Sequence, residues 1–292
     1  MARIGFIGLG HMGLPMAINL VKAGHDVLGF DLQPLAVNEL CNAGGRAASS
    51  LQEAAFEKDI FITMLQTGEQ VREVCLGEEG LYDVARDALH IDCSTIDVKT
   101  SRELHEKARL KQLLSVDAPV SGGVKGASEG TLTFMVGGEE HAFSQAKPLL
   151  SVMGKKIYHT GMAGSGQAAK ICNNMILGVS MIAVSEAFVL AEELGLSAQS
   201  LFEVVSNSSG NCWVMTQYAP VPGVLPNVPA NNDYKPGFTA AMMLKDLLLS
   251  QEASLKAGVN TTLGKEATSI YQKFSAAGFG NLDFSAIIKS IK

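Results

Sequence analysis

The chain has 292 residues, 47% of them hydrophobic and only 18% charged, a balance that excludes extended disorder and gives length for roughly two domains. Lys and Arg number 23 against 29 Asp and Glu, a net charge of -6 that leaves no basic footprint for nucleic acid. Five cysteines without a C-x-x-C pair and six scattered histidines argue against a disulfide framework and a zinc site, so no metal is expected and a reducing, cytoplasmic compartment fits best.

Up to about Tyr158, short β-rich runs alternate with helical patterns. The runs are Arg3 to Ile7, Val27 to Phe30, Ile60 to Met64, Leu89 to Cys93, Leu113 to Asp117 and Thr131 to Val136. Strand and helix alternating this way predicts a parallel, doubly wound sheet. Between the first two runs, Met12 to Lys22 carries apolar residues at helical spacing, and Gly24 is placed to cap its C-terminus.

The first turn is Gly8-Leu9-Gly10-His11-Met12-Gly13, a G-x-G-x-x-G motif that follows a strand and opens a helix. Gly8 permits the tight turn, Gly10 lets the backbone approach a pyrophosphate, and Gly13 lets helix pack closely on strand. The anion would rest on the helix N-terminus. Asp31 ends the second strand, where a carboxylate accepts hydrogen bonds from the adenosine ribose and repels a 2′-phosphate, and Leu32 follows instead of an arginine. The expected cofactor is therefore NAD and not NADP, although a strand-end Asp can also simply cap a turn.

Two further segments carry candidate chemistry. In Asp117-Ala118-Pro119-Val120-Ser121-Gly122-Gly123, a strand end runs into a hydroxyl and successive small-residue amides, which can form a nest for a substrate carboxylate or an ordinary Gly-Gly turn. Lys170 and Asn174 stand four apart at the start of the most apolar helical stretch, so both project from one helix face. A lysine partly desolvated there can exchange a proton near neutral pH, whereas a lysine at a helix start is ordinarily solvated. Lys245-Asp246, on another helical segment, reads by spacing alone as a surface ion pair.

After Gly161-Met162-Ala163-Gly164-Ser165-Gly166 strand alternation stops and helical patterns continue, broken at Gly195 and in the Pro-rich stretch Pro220 to Pro236. The expected architecture is α/β: a Rossmann-type doubly wound sheet domain over 1–162, followed by an all-α substrate and oligomerisation domain over 163–292, with the active site at their junction. The helix from about Gln167 to Leu194 is apolar nearly all round, yet polar residues such as Asn173, Asn174, Ser185 and Glu186 interrupt it. This disfavours a membrane span and favours burial by its own domain or a second copy, as in a homodimer or homotetramer.

These segments together resemble the 3-hydroxyisobutyrate dehydrogenase family, within the β-hydroxyacid dehydrogenases, over essentially the whole chain. Phe6-Ile7-Gly8-Leu9-Gly10-His11-Met12-Gly13 looks like its N-terminal signature, and Asp117 to Gly123 like its substrate loop. Gly164-Ser165-Gly166-Gln167-Ala168-Ala169-Lys170-Ile171-Cys172-Asn173-Asn174 looks like its catalytic segment, and Lys245-Asp246-Leu247 like the segment whose lysine reaches the cofactor. The resemblance implies oxidation of the small 3-hydroxy acid 3-hydroxyisobutyrate to methylmalonate semialdehyde, a step of valine degradation. Lys170 would be the general acid/base, Asn174 would orient substrate, and Ser121, Gly122 and Gly123 would hold its carboxylate. It also puts Met64, Leu65, Thr95 and Lys245 at the cofactor. Ser208-Ser209-Gly210-Asn211-Cys212-Trp213, followed by Pro220-Val221-Pro222-Gly223-Val224, is similar to the hydroxyisobutyrate branch, with Asn211 where that pattern leads one to expect arginine. Competing readings are an NADPH-preferring reductase of small semialdehydes such as tartronate semialdehyde, disfavoured by Asp31 and the Trp213 segment, and an imine reductase, disfavoured by Lys170. A non-enzymatic NAD-binding interaction module would be signalled by loss of Lys170 or Asn174, and both are present.

Overall fold

The computed structural model describes residues 1–291. The apolar runs become strands, and β1 (Arg3–Ile7) is buried along all but its first residue, as suits a central parallel strand covered on both faces. It leads through the glycine turn into α1 (Gly13–Lys22), which Gly24 ends at φ +85°, a left-handed conformation that a side chain would disfavour. The chain continues through β2 (Asp26–Phe30), α2 (Pro34–Asn42), β3 (Arg46–Ala47), β4 (Ile60–Thr63), α3 (Gly68–Leu76), α4 (Leu81–Val84), β5 (Leu89–Asp92) and α5 (Val98–Leu110). Then come β6 (Leu114–Asp117), β7 (Val120–Ser121), α6 (Gly123–Glu129), β8 (Leu132–Gly137), α7 (Glu140–Met153) and β9 (Gly154–Gly161).

The sheet order is β3-β2-β1-β4-β5-β6-β8-β7, with β9 added on β8. Its first six strands are parallel, and the order reverses beside β1, the switch point at which dinucleotides bind in such sheets. The sheet is not parallel throughout: β8 runs antiparallel to both β6 and β7. The predicted run Thr131 to Val136 is this β8, whereas β9 has no matching apolar run, because its exposed lysines and alternating burial are those of an edge. Alternate residues of each strand feed two cores, with Phe6 packed beneath Met16 and Leu20 on one face and Ile7 beside Phe61 and Val71 on the other.

Chain contacts divide the molecule into two units, Met1–Lys170 and Ile171–Lys292. The division falls inside the long helix α8 (Ser165–Glu193). The second unit is helical, with α9 (Ala198–Val205), α10 (Trp213–Gln217), α11 (Ala240–Ala257) and α12 (Thr262–Phe274) after α8. Met181, Phe188, Met243, Leu247, Tyr271 and Phe284 centre its core. Thr239 caps α11 by accepting from the Met242 amide. The Pro-rich stretch between α10 and α11 is held by Asn231, which bonds Gly223 and Leu225, and by buried Asp283 beyond α12, which accepts from Tyr218, Gly237 and Phe238.

Helix α8 is long and apolar enough by composition to cross a membrane, but Met181, Ile182, Val184 and Phe188 are buried in the second unit's core. Its own unit does not cover it all round. Ile176 (62% exposed), Ala183 and Leu190 (60% exposed), spaced two turns apart, remain open.

Candidate active site

The glycine turn is shaped by what a side chain would strike. Gly8 sits at φ +93°, and a Cβ there would stand 2.3 Å from the Met64 carbonyl oxygen. A Cβ on Gly13 would lie 1.9 Å from the Gly8 carbonyl oxygen, so helix α1 can start this close to the turn only without one. At Gly10 a Cβ would meet nothing within 4 Å, which leaves room for a phosphate to approach backbone. Leu9 is buried under the turn, and His11 and Met12 lead into α1, whose first turn has no side-chain cap. This cradle fits the pyrophosphate of a dinucleotide.

Strand register gathers the other candidates at the same edge. Ile7 pairs with Thr63 and Thr63 with Asp92, so Gly8, Met64-Leu65 and Thr95 follow the carboxyl ends of three adjacent strands. The Leu65 amide donates to Ser94 Oγ at 2.9 Å, tying two of those ends together. Asp31, one residue past β2, accepts from the Leu9 amide at 2.6 Å and from the Gln33 amide at 2.8 Å. It therefore braces the glycine turn from the end of β2.

The loop Ser121-Gly122-Gly123 leaves β7 with Gly122 at φ +135° and Gly123 at φ +61°. Both glycines are exposed, at the start of α6. Lys170 is 8% exposed, and its Nζ donates to the Val120 carbonyl oxygen at 2.8 Å. The structure thus brings this amine next to the residue preceding Ser121, a pairing 50 positions apart in the chain.

In the second unit, Asn174 lies one turn beyond Lys170 along α8 and is 2% exposed. Its Nδ2 donates to Asp246 Oδ2 at 2.5 Å, and its Oδ1 accepts from Asn173. Lys245 Nζ stands 3.2 Å from Asp246 Oδ1. The reading of Lys245-Asp246 as a surface pair needs correction, because Asp246 is only 3% exposed and organises Asn174. No local pattern could have shown this, since the two residues are 72 apart. Trp213 is 53% exposed and stacks on Tyr218, while Cys212 is half-buried beside it. Among the described residues no group of three His, Cys, Asp or Glu could hold a metal ion.

Residues 3–161 match the family model described as the NAD binding domain of 6-phosphogluconate dehydrogenase. Residues 164–291 match that described as NAD-binding of NADP-dependent 3-hydroxyisobutyrate dehydrogenase. The fold and the glycine cradle, with these matches, define an NAD-dependent oxidoreductase of the β-hydroxyacid dehydrogenase class. The chain belongs to the 3-hydroxyisobutyrate dehydrogenase family. It is 52% identical over 293 aligned positions to the protein named "Probable 3-hydroxyisobutyrate dehydrogenase" of Mycobacterium bovis, covering 100% of this chain and 98% of that one. It is 45% identical to the NAD-dependent L-serine dehydrogenase of Pseudomonas aeruginosa, covering 99% and 97%. Among solved structures, the 3-hydroxyisobutyrate dehydrogenase of Mycobacterium tuberculosis with L-serine matches at TM-score 0.95 and 52% identity, over 100% of this chain and 99% of that one.

Proposed function

We propose that the enzyme oxidises 3-hydroxyisobutyrate to methylmalonate semialdehyde, a step of valine degradation, with Lys170 as the general acid/base. The observation that carries this reading is the buried Lys170 amine held at the carbonyl of Val120, beside Ser121. In its neutral form the amine takes the proton of the β-hydroxyl as the alkoxide develops, and returns it in the reverse reaction. A bound NAD would supply the hydride acceptor for the carbon that carries that hydroxyl. Ser121 and the amides of Gly122 and Gly123 hold the substrate carboxylate, and Asn174, itself fixed by Asp246, orients the substrate. Gly8, Leu9, Gly10, His11, Met12, Gly13, Asp31, Met64, Leu65, Thr95 and Lys245 bind the cofactor. In this reading 1–162 is the cofactor domain and 163–292 the substrate and oligomerisation domain, in a cytoplasmic enzyme.

Lys170→Ala should lower kcat by about 10² to 10⁴, the value of a positioned proton transfer, while NAD binding by fluorescence titration stays unchanged. Wild-type kcat in that variant ends the assignment, and lost NAD binding makes the residue structural.

A second substrate, L-serine, is favoured by the relative and the solved structure whose names carry it. Serine, glycerate and 3-hydroxyisobutyrate share one frame, a primary alcohol and a carboxylate on a carbon bearing an ammonium, a hydroxyl or a methyl. A steady-state panel of the three ranks them. If the methyl group is the determinant, 3-hydroxyisobutyrate comes first, with glycerate lower by no more than about 10², since an apolar pocket rejects an added hydroxyl only that well. Serine or glycerate in first place removes the methyl group from that role.

The stripe Ile176, Ala183 and Leu190 on α8 supports a homodimer or homotetramer. Light scattering at micromolar concentration should give at least twice the 30.8 kDa chain mass, and a monomer mass contradicts it.

A further inference from the structure

Asp117, the last residue of β6, is 1% exposed and has no part in the chemistry described above. Its carboxylate spans the opening of α8: Oδ1 accepts from the Gly164 amide at 2.8 Å and Oδ2 from the Gln167 amide at 2.9 Å. This is the work of an N-cap, done by a residue 47 positions upstream. The Nε2 of His105 meets Oδ1 at 2.9 Å, and Ser115 Oγ holds the other ring nitrogen at 2.9 Å.

The surroundings are cut to fit that carboxylate. A Cβ on Gly166 would stand 2.8 Å from Asp117 Oδ2 and 2.3 Å from the Met135 carbonyl oxygen, and a Cβ on Gly137 would stand 2.6 Å from Oδ1. A second clip acts on the same helical turn. Gln167 Oε1 accepts from the Ile96 amide at 3.1 Å, and its Nε2 donates to the Ser94 carbonyl at 2.8 Å.

The contacts close a ring. Asp117 is joined to Gln167, Lys170 follows three residues along the helix, and Lys170 Nζ is joined to Val120, three residues beyond Asp117. We infer that Asp117 is a positioning residue, which locks the first turn of α8 to the segment entering Ser121-Gly122-Gly123 and so sets where the Lys170 amine stands relative to that loop. The inference rests on the reading of Lys170 as proton acceptor, but the position of the amine can be measured apart from catalysis.

Asp117→Asn keeps the shape and turns one accepting oxygen into an N–H facing a backbone N–H. Each lysine is then mapped by limited acetylation with acetic anhydride and peptide mass spectrometry, in parallel with kcat and NAD titration. Lys170 should acetylate about tenfold faster while Lys22 and Lys111 keep their wild-type rates, as a local opening requires. NAD affinity should hold, and kcat should fall by about 10², the cost of a displacement near 1 Å. Unchanged Lys170 acetylation overturns the inference whatever kcat does. Should Lys170→Ala keep wild-type kcat while Asp117→Asn exposes Lys170, the proton-acceptor reading falls and the positioning role stands. If Asp117→Asn has lost NAD binding, His105→Gln decides, since it takes away the ring that holds Asp117 Oδ1 and so loosens the carboxylate's grip on the Gly164 and Gln167 amides without removing either accepting oxygen. A selective rise in Lys170 acetylation supports the inference, and no rise, or a parallel rise at all lysines, overturns it.

Discussion

Asp92 and Asp117 are register partners at the ends of β5 and β6, and both are buried, yet their surroundings differ sharply. Each oxygen of Asp117 meets a backbone amide. Asp92 uses one oxygen only, Oδ1, which accepts from Thr63 Oγ1 at 2.8 Å and from the Ser94 amide at 3.1 Å, while its Oδ2 has no partner among the described residues. Burial pushes the Asp92 carboxyl up to about 6, against the pull of its bonds to Ser94 and Thr63, and the charge of Asp117 pushes the same way as burial. What a buried carboxylate can do is therefore decided by the donors supplied to it more than by its depth.

The hardest way to break this contrast is to remove the satisfied carboxylate. Asp117→Ala leaves the amides of Gly164 and Gln167 without their acceptor and strips His105 Nε2 of its partner. Loss of a buried, multiply bonded charge should cost about 3 to 5 kcal/mol in urea unfolding. A loss under about 1 kcal/mol, within the range of surface pairs, means that the donors found other partners and the contrast is not energetic.

A smaller, pH-dependent effect belongs to Asp92 and its neighbour His90. The His90 ring stacks on Phe61 and is bonded by Tyr82 Oη at 2.7 Å and Thr63 Oγ1 at 2.9 Å. Burial lowers it to about 3, with the charge of His105 adding to the shift. Asp92 binds its proton more tightly folded than unfolded, so its contribution to stability is full below about 4 and is lost as pH rises through about 6. His90 binds its proton less tightly folded, so its contribution is full above about 6.5 and is lost as pH falls toward about 3. Between about pH 4 and 6 the two slopes oppose, and this pair should leave the wild type nearly flat there. Asp92→Asn removes one slope and exposes the other, so the variant should lose roughly 3 kcal/mol on going from pH 6.5 to 4. Chemical denaturation across that range measures it, and a flat variant denies that His90 is held neutral by the fold.

How much of this could be read from the chain depended on sequence distance. The parallel strands and α1 follow from local apolar patterning, and the glycine motif pointed to the cradle because its three constraints lie within six residues. The antiparallel direction of β8 and the edge strand β9 escaped, since local patterning does not fix direction and a one-sided polar strand gives a weak signal. Lys170 and Asn174 stood out by helical spacing, but their partners Val120 and Asp246 did not. Those contacts, like the clasp of Asp117 on α8, join residues about 50 or more positions apart and come from the topology of the sheet and the packing of helices.

Asp31 extends the comparison to a third strand end and to the smallest expected effect. It is half-buried, and both oxygens take backbone amides, so the residue combines the bracing role of Asp117 with an open side toward solvent. Its neighbour Leu32 is 85% exposed, with room for a longer cationic side chain. A 2′-phosphate would bring a second negative charge to this carboxylate, which is the physical basis for NAD over NADP. Asp31→Ser with Leu32→Arg removes the repulsion and adds a guanidinium that can bond phosphate in two places. The ratio of kcat/KM for NAD to that for NADP should fall by about tenfold or more, close to 1.4 kcal/mol of differential binding. Serine retains only one short acceptor for the Leu9 amide, so KM for NAD should also rise. Asp31→Asn separates the two effects: it removes the charge and keeps an acceptor oxygen, so the cofactor ratio should move while the glycine turn stays braced. A wild-type kcat/KM higher with NADP than with NAD, or a ratio unmoved by either change, places the discrimination elsewhere than at the end of β2.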